Sequence, residues 1–156
     1  MAKKHASGAE LHTLFREVFR LQSTLSEVVD RVHEQAGMRT SQVRLATTLL
    51  QLGQATVPDV AHIMKVSRQF VQTAINELEK QGMIEFLKNP RHKRSKLLKL
   101  TDHGKDTLEQ AHKNEEAIIE QIVPDMDATS VVNASELLES IWGKMNTAIS
   151  AKAAFK

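Results

Sequence analysis

Six polar residues lie at the start and along one side of a predicted short helix in the middle of the chain. They are Ser67, Arg68, Gln69, Gln72, Thr73 and Asn76. Arginine can donate two hydrogen bonds to guanine, glutamine can pair with the edge of adenine, and threonine can contact a thymine methyl group or a phosphate. These residue types predict a surface that contacts base pairs in the major groove of duplex DNA. For this helix alone, an ordinary solvated face is an equally good interpretation.

A second candidate surface is defined by its charge. Between Glu85 and Asp102 the sequence contains no acidic residue. The basic residues in this window are Lys88, Arg91, His92, Lys93, Arg94, Lys96 and Lys99. Because like charges on a short segment repel one another, the cluster favours a partner of opposite charge such as phosphate. Arginine at a hairpin tip can also enter a narrow minor groove, where the negative potential is enhanced. A solvated charged loop is the less favoured alternative.

Two consecutive helices are predicted to position the polar residues. Thr56 as cap and Pro58 in the first turn predict a short helix, and Lys65 lies in the tight connection that follows it. Ser67 then caps a second helix, which ends at Gly82. The inner face of this second helix is apolar and consists of Phe70, Val71, Ala74, Ile75 and Leu78. A short helix, a tight turn and a second helix with a polar outer face is the arrangement that places side chains in the major groove.

A β-hairpin is predicted to carry the basic cluster. Two short extended segments, residues 83–87 and 96–100, flank the turn-forming pair Asn89-Pro90 and the basic run. The charged residues therefore lie at the tip of a small wing beside the second helix.

Apolar residues at helical spacing predict four further helices around this unit. A long first helix ends near Gly37, and a helix capped by Thr40 or Ser41 runs to Leu52. Two more helices follow the hairpin, one from Thr101 or Asp102 to Pro124 and one from about residues 127–130. The predicted fold is mostly α with a small β-hairpin wing, a winged helix-turn-helix flanked by N- and C-terminal helices.

The composition limits the classes of protein that fit. At 156 residues the chain fits a single domain, 1-156, that folds without a cofactor. The net charge of +2 is modest, and an aromatic content of 4% argues against base stacking on single strands. The lack of cysteine, of an apolar leader and of about 18 consecutive apolar residues predicts a cytoplasmic protein that does not enter membranes.

At this point the sequence resembles the MarR family, the multiple antibiotic resistance regulators. The motifs that carry the resemblance are the run Leu78-Glu79-Lys80-Gln81-Gly82, Pro90 with Lys93 and Arg94, and Leu100-Thr101-Asp102-His103-Gly104. Two positions depart from the family pattern. His92 replaces an acidic residue that orients the wing arginines, and Lys65 stands where glycine is common, which costs modest strain if the backbone angle is positive.

The resemblance implies how the flanking helices are used. Segments 9-36 and 101-150 would interlock two subunits, so that a homodimer presents the 40-100 winged helix-turn-helix regions to a pseudo-palindromic operator with half-sites roughly 34 Å apart. Regulators of this kind, usually repressors, often hold a small aromatic or lipophilic effector in a crevice. Residues that can line it here are His12, Phe15, Phe19 and Leu45. Ordinary core packing is the better default for the two phenylalanines, and a monomer is the alternative to the dimer.

Three other hypotheses are weaker. The seven histidines are scattered, and His112 with Glu115 or Glu116 is a spacing that charged helices show by chance, so we expect exposed histidines and no metal site. An enzyme is not expected, because the sequence lacks a phosphate loop, a nucleophile motif and paired carboxylates with an obvious cleft. A winged helix that contacts only proteins is the main alternative. It predicts that the basic hairpin residues are dispensable for affinity.

Overall fold

The structure, a computed structural model, describes residues 5–92 and 95–153, which form six α-helices and a two-stranded antiparallel sheet. The elements in chain order are α1 (Gly8–Gln35), α2 (Thr40–Leu52), α3 (Val57–Met64), α4 (Arg68–Lys80), β1 (Ile84–Leu87), β2 (Leu97–Leu100), α5 (Asp102–Ile122) and α6 (Ala128–Ala153). The predicted fold class is confirmed, and every predicted element is present.

One hydrophobic core holds α2, α3, α4, the hairpin and the first half of α5 together. Its completely buried members come from separate elements and include Leu45 and Leu49 of α2, Ile75 and Leu78 of α4, and Leu98 of β2. Each helix contributes one apolar stripe, since residues three and four apart share a helix face. This shared core fixes the position of α4, the helix that carries the predicted contact residues.

Side-chain caps start the helices of the winged region where the sequence placed them, with one exception. Thr56 accepts a hydrogen bond from the amide of Asp59, and Ser67 accepts one from the amide of Phe70. The prediction that Thr40 or Ser41 caps α2 is wrong, because Arg39 occupies the N-cap position. Thr40 is already helical, and its hydroxyl donates to Asp30 of α1 instead.

Phe70 is less buried than predicted. Its relative exposure is 43%, whereas Val71, Ala74, Ile75 and Leu78 of the same helix are buried. These four residues centre the buried stripe, and Phe70 lies about a quarter turn away from that centre, at the border of the core. The apolar face of α4 is therefore narrower than its sequence indicates.

The hairpin is attached to the helices at both ends. Ile84 pairs with Leu100 and Leu87 with Leu97, and the backbone of Ala55 forms an isolated bridge with Leu98 of β2. This bridge anchors the sheet to the segment between α2 and α3. Because β2 pairs with β1 on one edge and with Ala55 on the other, the base of the wing is fixed, whereas its tip lies beyond the paired residues.

A close approach joins the start of α5 to the end of α4. The amide of Thr101 donates to the carbonyl of Met83 (3.0 Å), and the Thr101 hydroxyl donates to the carbonyl of Gly82 (2.7 Å). A methyl group at Gly104 would lie 2.1 Å from the carbonyl oxygen of Met83. These contacts explain the segment Leu100-Thr101-Asp102-His103-Gly104. Thr101 forms hydrogen bonds to the turn after α4, and Gly104 leaves room for the backbone of that turn.

The chain divides into two compact units, residues 1–118 and 119–156. The second unit consists of the end of α5 and all of α6, and none of its described side chains is buried. Among the residues that the structure describes, no helix is both long and apolar enough to cross a membrane.

Candidate nucleic-acid interface

The predicted contact residues of α4 form a single exposed surface. Ser67, Arg68, Gln69, Gln72, Thr73 and Asn76 are all exposed. The Gln72 amide donates to the side chain of Asn76 (2.8 Å), and the Thr73 hydroxyl donates to the backbone carbonyl of Gln69 (3.0 Å). In the described part of the chain, no carboxylate lies within 4.0 Å of Arg68 to form an ion pair. Arginine and glutamine donors on this face are therefore available to an external partner.

The connection before α4 sets the direction of this surface. Lys65 adopts a left-handed backbone conformation, with φ 54° and ψ 43°, and ends α3. The amide of Val66 donates to the carbonyl of Ala61 (3.1 Å), which closes the turn. A non-glycine residue in this conformation carries modest strain, as the sequence predicted. The strain is tolerated because the core holds both helices that the turn connects.

The tip of the hairpin is ordered by an asparagine side chain. The Asn89 side-chain oxygen accepts hydrogen bonds from the amides of Arg91 (2.9 Å) and His92 (3.3 Å). A turn of this type needs no carboxylate, so the acidic residue that His92 replaces is not required to shape this part of the tip. Lys88, Arg91, His92 and Lys96 are exposed. Lys93 and Arg94 lie outside the described residues.

The base of the hairpin differs from its tip in electrostatic character. Lys99 forms an ion pair with Glu85 on the neighbouring strand (3.7 Å). Lys96 lies with its ammonium group 5.1 Å from the centre of the Phe86 ring, within the range of a cation–π contact. An aromatic ring does not neutralise the ammonium charge, so Lys96 keeps its charge toward solvent whereas Lys99 is paired.

A cavity of about 430 Å³ brings the helix and the hairpin together. Its lining residues are Val57, Gln72, Phe86, Ser95 and Lys96. Gln72 and Lys96 come from the two separately predicted sets of contact residues. Their presence around one opening shows that α4 and the wing face a common side of the molecule.

Sequence analysis did not identify a second polar group, on the opposite side of α4. A cavity of about 310 Å³ is lined by residues from the start of α2 together with residues of α4. The lining residues are Arg39, Ser41, Ser67, Gln69, Phe70, Thr73, Ala74 and Glu77. Arg39 and Ser41 were not predicted, because they belong to a different helix and no motif or periodicity connects them to residues 67–77.

The residues proposed for an effector crevice differ widely in burial. His12 and Phe19 are exposed, Phe15 is half-buried, and Leu45 is completely buried in the core of the winged region. The two cavities described above are lined by other residues. The crevice stays a prediction.

The prediction that the histidines are exposed is wrong for His33. This residue of α1 has a relative exposure of 2%; its Nδ1 lies 2.9 Å from the hydroxyl of Thr40 and its Nε2 lies 3.4 Å from a carboxylate oxygen of Glu115. A buried imidazole needs polar partners, and these come from α2 and α5. His112 is half-buried and contacts the hydroxyl of Thr47 (3.2 Å).

The sequence matches a family model described as MarR family over residues 36–95. An uncharacterized protein of Mycobacterium tuberculosis is 32% identical over 100 residues, which is 64% of this chain and 69% of the relative. An uncharacterized HTH-type transcriptional regulator of Bacillus subtilis, YdgJ, is 22% identical over 111 residues, which is 71% of this chain and 68% of the relative.

Solved structures of MarR proteins share the fold. A mutant of MarR from Escherichia coli complexed with operator DNA superposes with a TM-score of 0.69 at 19% identity, over 88% of this chain and 99% of that one. A MarR family transcriptional regulator from Rhodococcus superposes with a TM-score of 0.72 at 19% identity, over 86% of this chain and 96% of that one.

Proposed function

Since the chain belongs to the MarR family of winged helix-turn-helix regulators, we propose that it binds duplex DNA in a sequence-specific manner and represses transcription as a homodimer on a pseudo-palindromic operator. In this proposal α4 contacts base pairs in the major groove, and the hairpin contacts phosphates and the adjacent minor groove. A regulator of transcription must share the compartment of the chromosome, which agrees with the expected cytoplasmic location.

The observation that carries the proposal is the common orientation of two independent surfaces. Gln72 of α4 and Lys96 of the wing line one cavity, and the other polar residues of α4 are exposed beside it. A groove reader needs base-contacting side chains and phosphate-binding cations on the same side. The arrangement meets that requirement with no rearrangement of the core.

Salt dependence of binding tests the DNA-binding part of the proposal. Binding of a labelled random duplex should weaken steeply with salt, because each phosphate contact releases counterions. Arg91→Ala should weaken binding to all duplexes and flatten the slope, whereas Arg44→Ala on α2, also exposed but outside the predicted contact residues, should not. A protein-only winged helix, the alternative function, would bind no duplex even at low salt.

Sequence discrimination tests the role of α4. Gln69→Ala or Gln72→Ala should reduce the preference for the operator over random duplex by roughly 1 to 3 kcal/mol for each lost base contact. Operator fragments can be selected from the source genome beforehand. If Arg91→Ala changed sequence preference and the glutamine variants did not, the assigned roles of helix and wing would be wrong.

The homodimer is supported by the exposed apolar side chains of α6. Val131, Leu138, Trp142, Met145 and Ile149 recur at helical spacing and are between 42% and 67% exposed. A stripe of this kind on one helix is typical of a surface that packs on another chain. We propose that segments 9-36 and 101-150 form the dimer and that 40-100 is the DNA-binding region. Sedimentation at micromolar concentration should give a dimer; a monomer would refute the operator geometry.

A small-molecule effector belongs to the same proposal. A ligand that binds one dimer geometry better than another would shift the spacing of the two α4 helices and release the operator. The candidate lining residues are His12, Phe15, Phe19 and Leu45. Small aromatic acids and lipophilic compounds should be titrated against the operator complex, with release of DNA as the expected response.

A further inference from the structure

We propose that Arg39, at the start of α2, binds a backbone phosphate of the DNA on the side of α4 opposite the wing. This inference rests on the proposed function, because it assumes that α4 enters the major groove. It adds a contact from outside the helix-turn-helix and the hairpin.

The lining of the cavity between α2 and α4 includes groups that donate hydrogen bonds to phosphate, beside the carboxylate of Glu77. The Arg39 side chain is 70% exposed, and it shares the opening with the hydroxyls of Ser41 and Ser67. Phosphate oxygens accept from guanidinium, hydroxyl and amide donors. The opening, about 310 Å³ in volume, is a polar recess beside the predicted base-contacting surface.

The position of Arg39 is held by two side chains beneath it. Its Nη2 lies 3.2 Å from one carboxylate oxygen of Glu77, and the other oxygen of Glu77 accepts from the side-chain amide of Gln42 (3.0 Å). The Gln42 oxygen accepts from the backbone amide of Arg39 (2.8 Å), and Gln42 is buried. Because a guanidinium has five N–H donors, contact with one carboxylate oxygen leaves others for a phosphate.

The lining residues on α4 form a row, and the position of this row explains why Arg39 would contact the phosphate backbone of the DNA. Gln69, Thr73 and Glu77 are four residues apart, so they form one line along the helix. Gln72 and Lys96 line the cavity on the wing side. A helix lying in the major groove has a phosphate strand on each side. Lys96 and Arg39 would then each serve one strand, with the base-contacting residues between them.

Binding of a random duplex, measured against salt, tests this inference with a charge-removing variant and a matched control. Arg39→Gln removes one phosphate contact from each subunit of the proposed dimer, so it should reduce the slope of log K against log salt by about 1.8 and weaken binding roughly a hundredfold at 0.05 M salt, equally for all duplex sequences. Arg44→Gln removes an arginine of α2 that is also exposed and that lines neither of the two cavities beside α4. It should leave affinity and slope unchanged.

Arg39→Lys separates loss of charge from loss of fold. It should keep the salt slope of the wild type, and both Arg39 variants should unfold at the wild-type temperature within a few degrees. If Arg39→Gln binds random duplex with unaltered affinity and slope while the wild type binds, the Arg39 inference is overturned and the proposed function stands. If the wild type binds no duplex at low salt, the proposed function itself fails.

Free phosphate is the other source of the same chemistry. Inorganic phosphate at millimolar concentration, compared with chloride at equal ionic strength, should not stabilise the wild type more than Arg39→Gln. A stabilisation that depends on Arg39 would assign the recess to a soluble phosphate ligand and would overturn its assignment to the DNA backbone.

Discussion

The winged region and α6 both carry large apolar side chains at helical spacing but bury them differently. In the winged region Leu45, Leu49 and Ile75 are completely covered by neighbouring elements, whereas on α6 Trp142 is 67% exposed. A large apolar surface left in water costs free energy of about 25 cal/mol for each Å² that could be buried. The winged region therefore buries these apolar side chains within its own fold. The apolar side chains of α6 stay exposed, and the proposed homodimer would bury them.

Truncation of a core side chain should give the largest effect, and it tests the burial of the winged region. Leu49→Ala removes a side chain with no exposed surface, so it should reduce the free energy of unfolding by about 2–5 kcal/mol. The neighbouring Leu50 is 48% exposed, and Leu50→Ala should cost about 0.5 kcal/mol or less. Urea denaturation at one fixed protein concentration measures both. Equal losses would show that the core is not where the structure places it.

Adding one methyl group tests the contact between α5 and the end of α4. Gly104→Ala forces an atom against the carbonyl of Met83, so we expect a loss of about 1–3 kcal/mol. Gly143 of α6 has no atom within 4 Å of an added methyl group, and Gly143→Ala should raise helix stability by up to about 1 kcal/mol. Opposite signs in thermal unfolding would confirm the contrast, and two neutral variants would contradict it.

A charge in the exposed apolar stripe of α6 tests whether this stripe forms the proposed dimer interface. Leu138→Glu places a carboxylate in the proposed dimer interface, so the dissociation constant of the dimer should rise at least about tenfold, or roughly 1.4 kcal/mol. Ser140→Glu adds the same charge to α6 away from the stripe and should leave the dimer intact. Analytical ultracentrifugation over a dilution series gives both constants. A stable dimer of Leu138→Glu would place the interface elsewhere.

Cap removal is expected to give the smallest effect, with a defined pH dependence. Hydrogen bonds from the hydroxyl and amide of Thr56 lower the pKa of Asp59 below its ordinary value. A carboxylate with a lowered pKa stabilises the fold above its unfolded-state value of about 3.9, and this contribution is lost as pH falls through the lower pKa. Thr56→Ala should therefore cost about 1 kcal/mol at pH 7 and less near pH 2.5.

Ser67→Ala is the matched control for that pH dependence. Ser67 caps α4 in the same way, but the residue whose amide it accepts from is Phe70, which has no carboxylate. The stability cost of Ser67→Ala should therefore be the same at both pH values, because this cap has no carboxylate that becomes protonated in acid. Urea denaturation at the two pH values measures both variants, and identical acid behaviour would show that Asp59 does not contribute as described.

The exposed face of α4 could be predicted because its signal is local. Periodicity separates buried from exposed positions within one helix, and a capping serine with its hydrogen bond to the third residue is a short-range pattern. The same holds for the hairpin, whose Asn89-Pro90 turn and basic residues are adjacent in sequence. Their assignment to base and phosphate contacts is a prediction that the proposed experiments test.

The sequence by itself determined the helices, the wing and the family, because caps, turn residues and apolar periodicity act over a few residues. Only the tertiary structure decided that Thr40 bonds to Asp30 rather than capping α2, that His33 is buried against Glu115, and that Arg39 lies beside α4. These three contacts join residues from different helices. Their partners are chosen by the packing of the core, which no local pattern encodes.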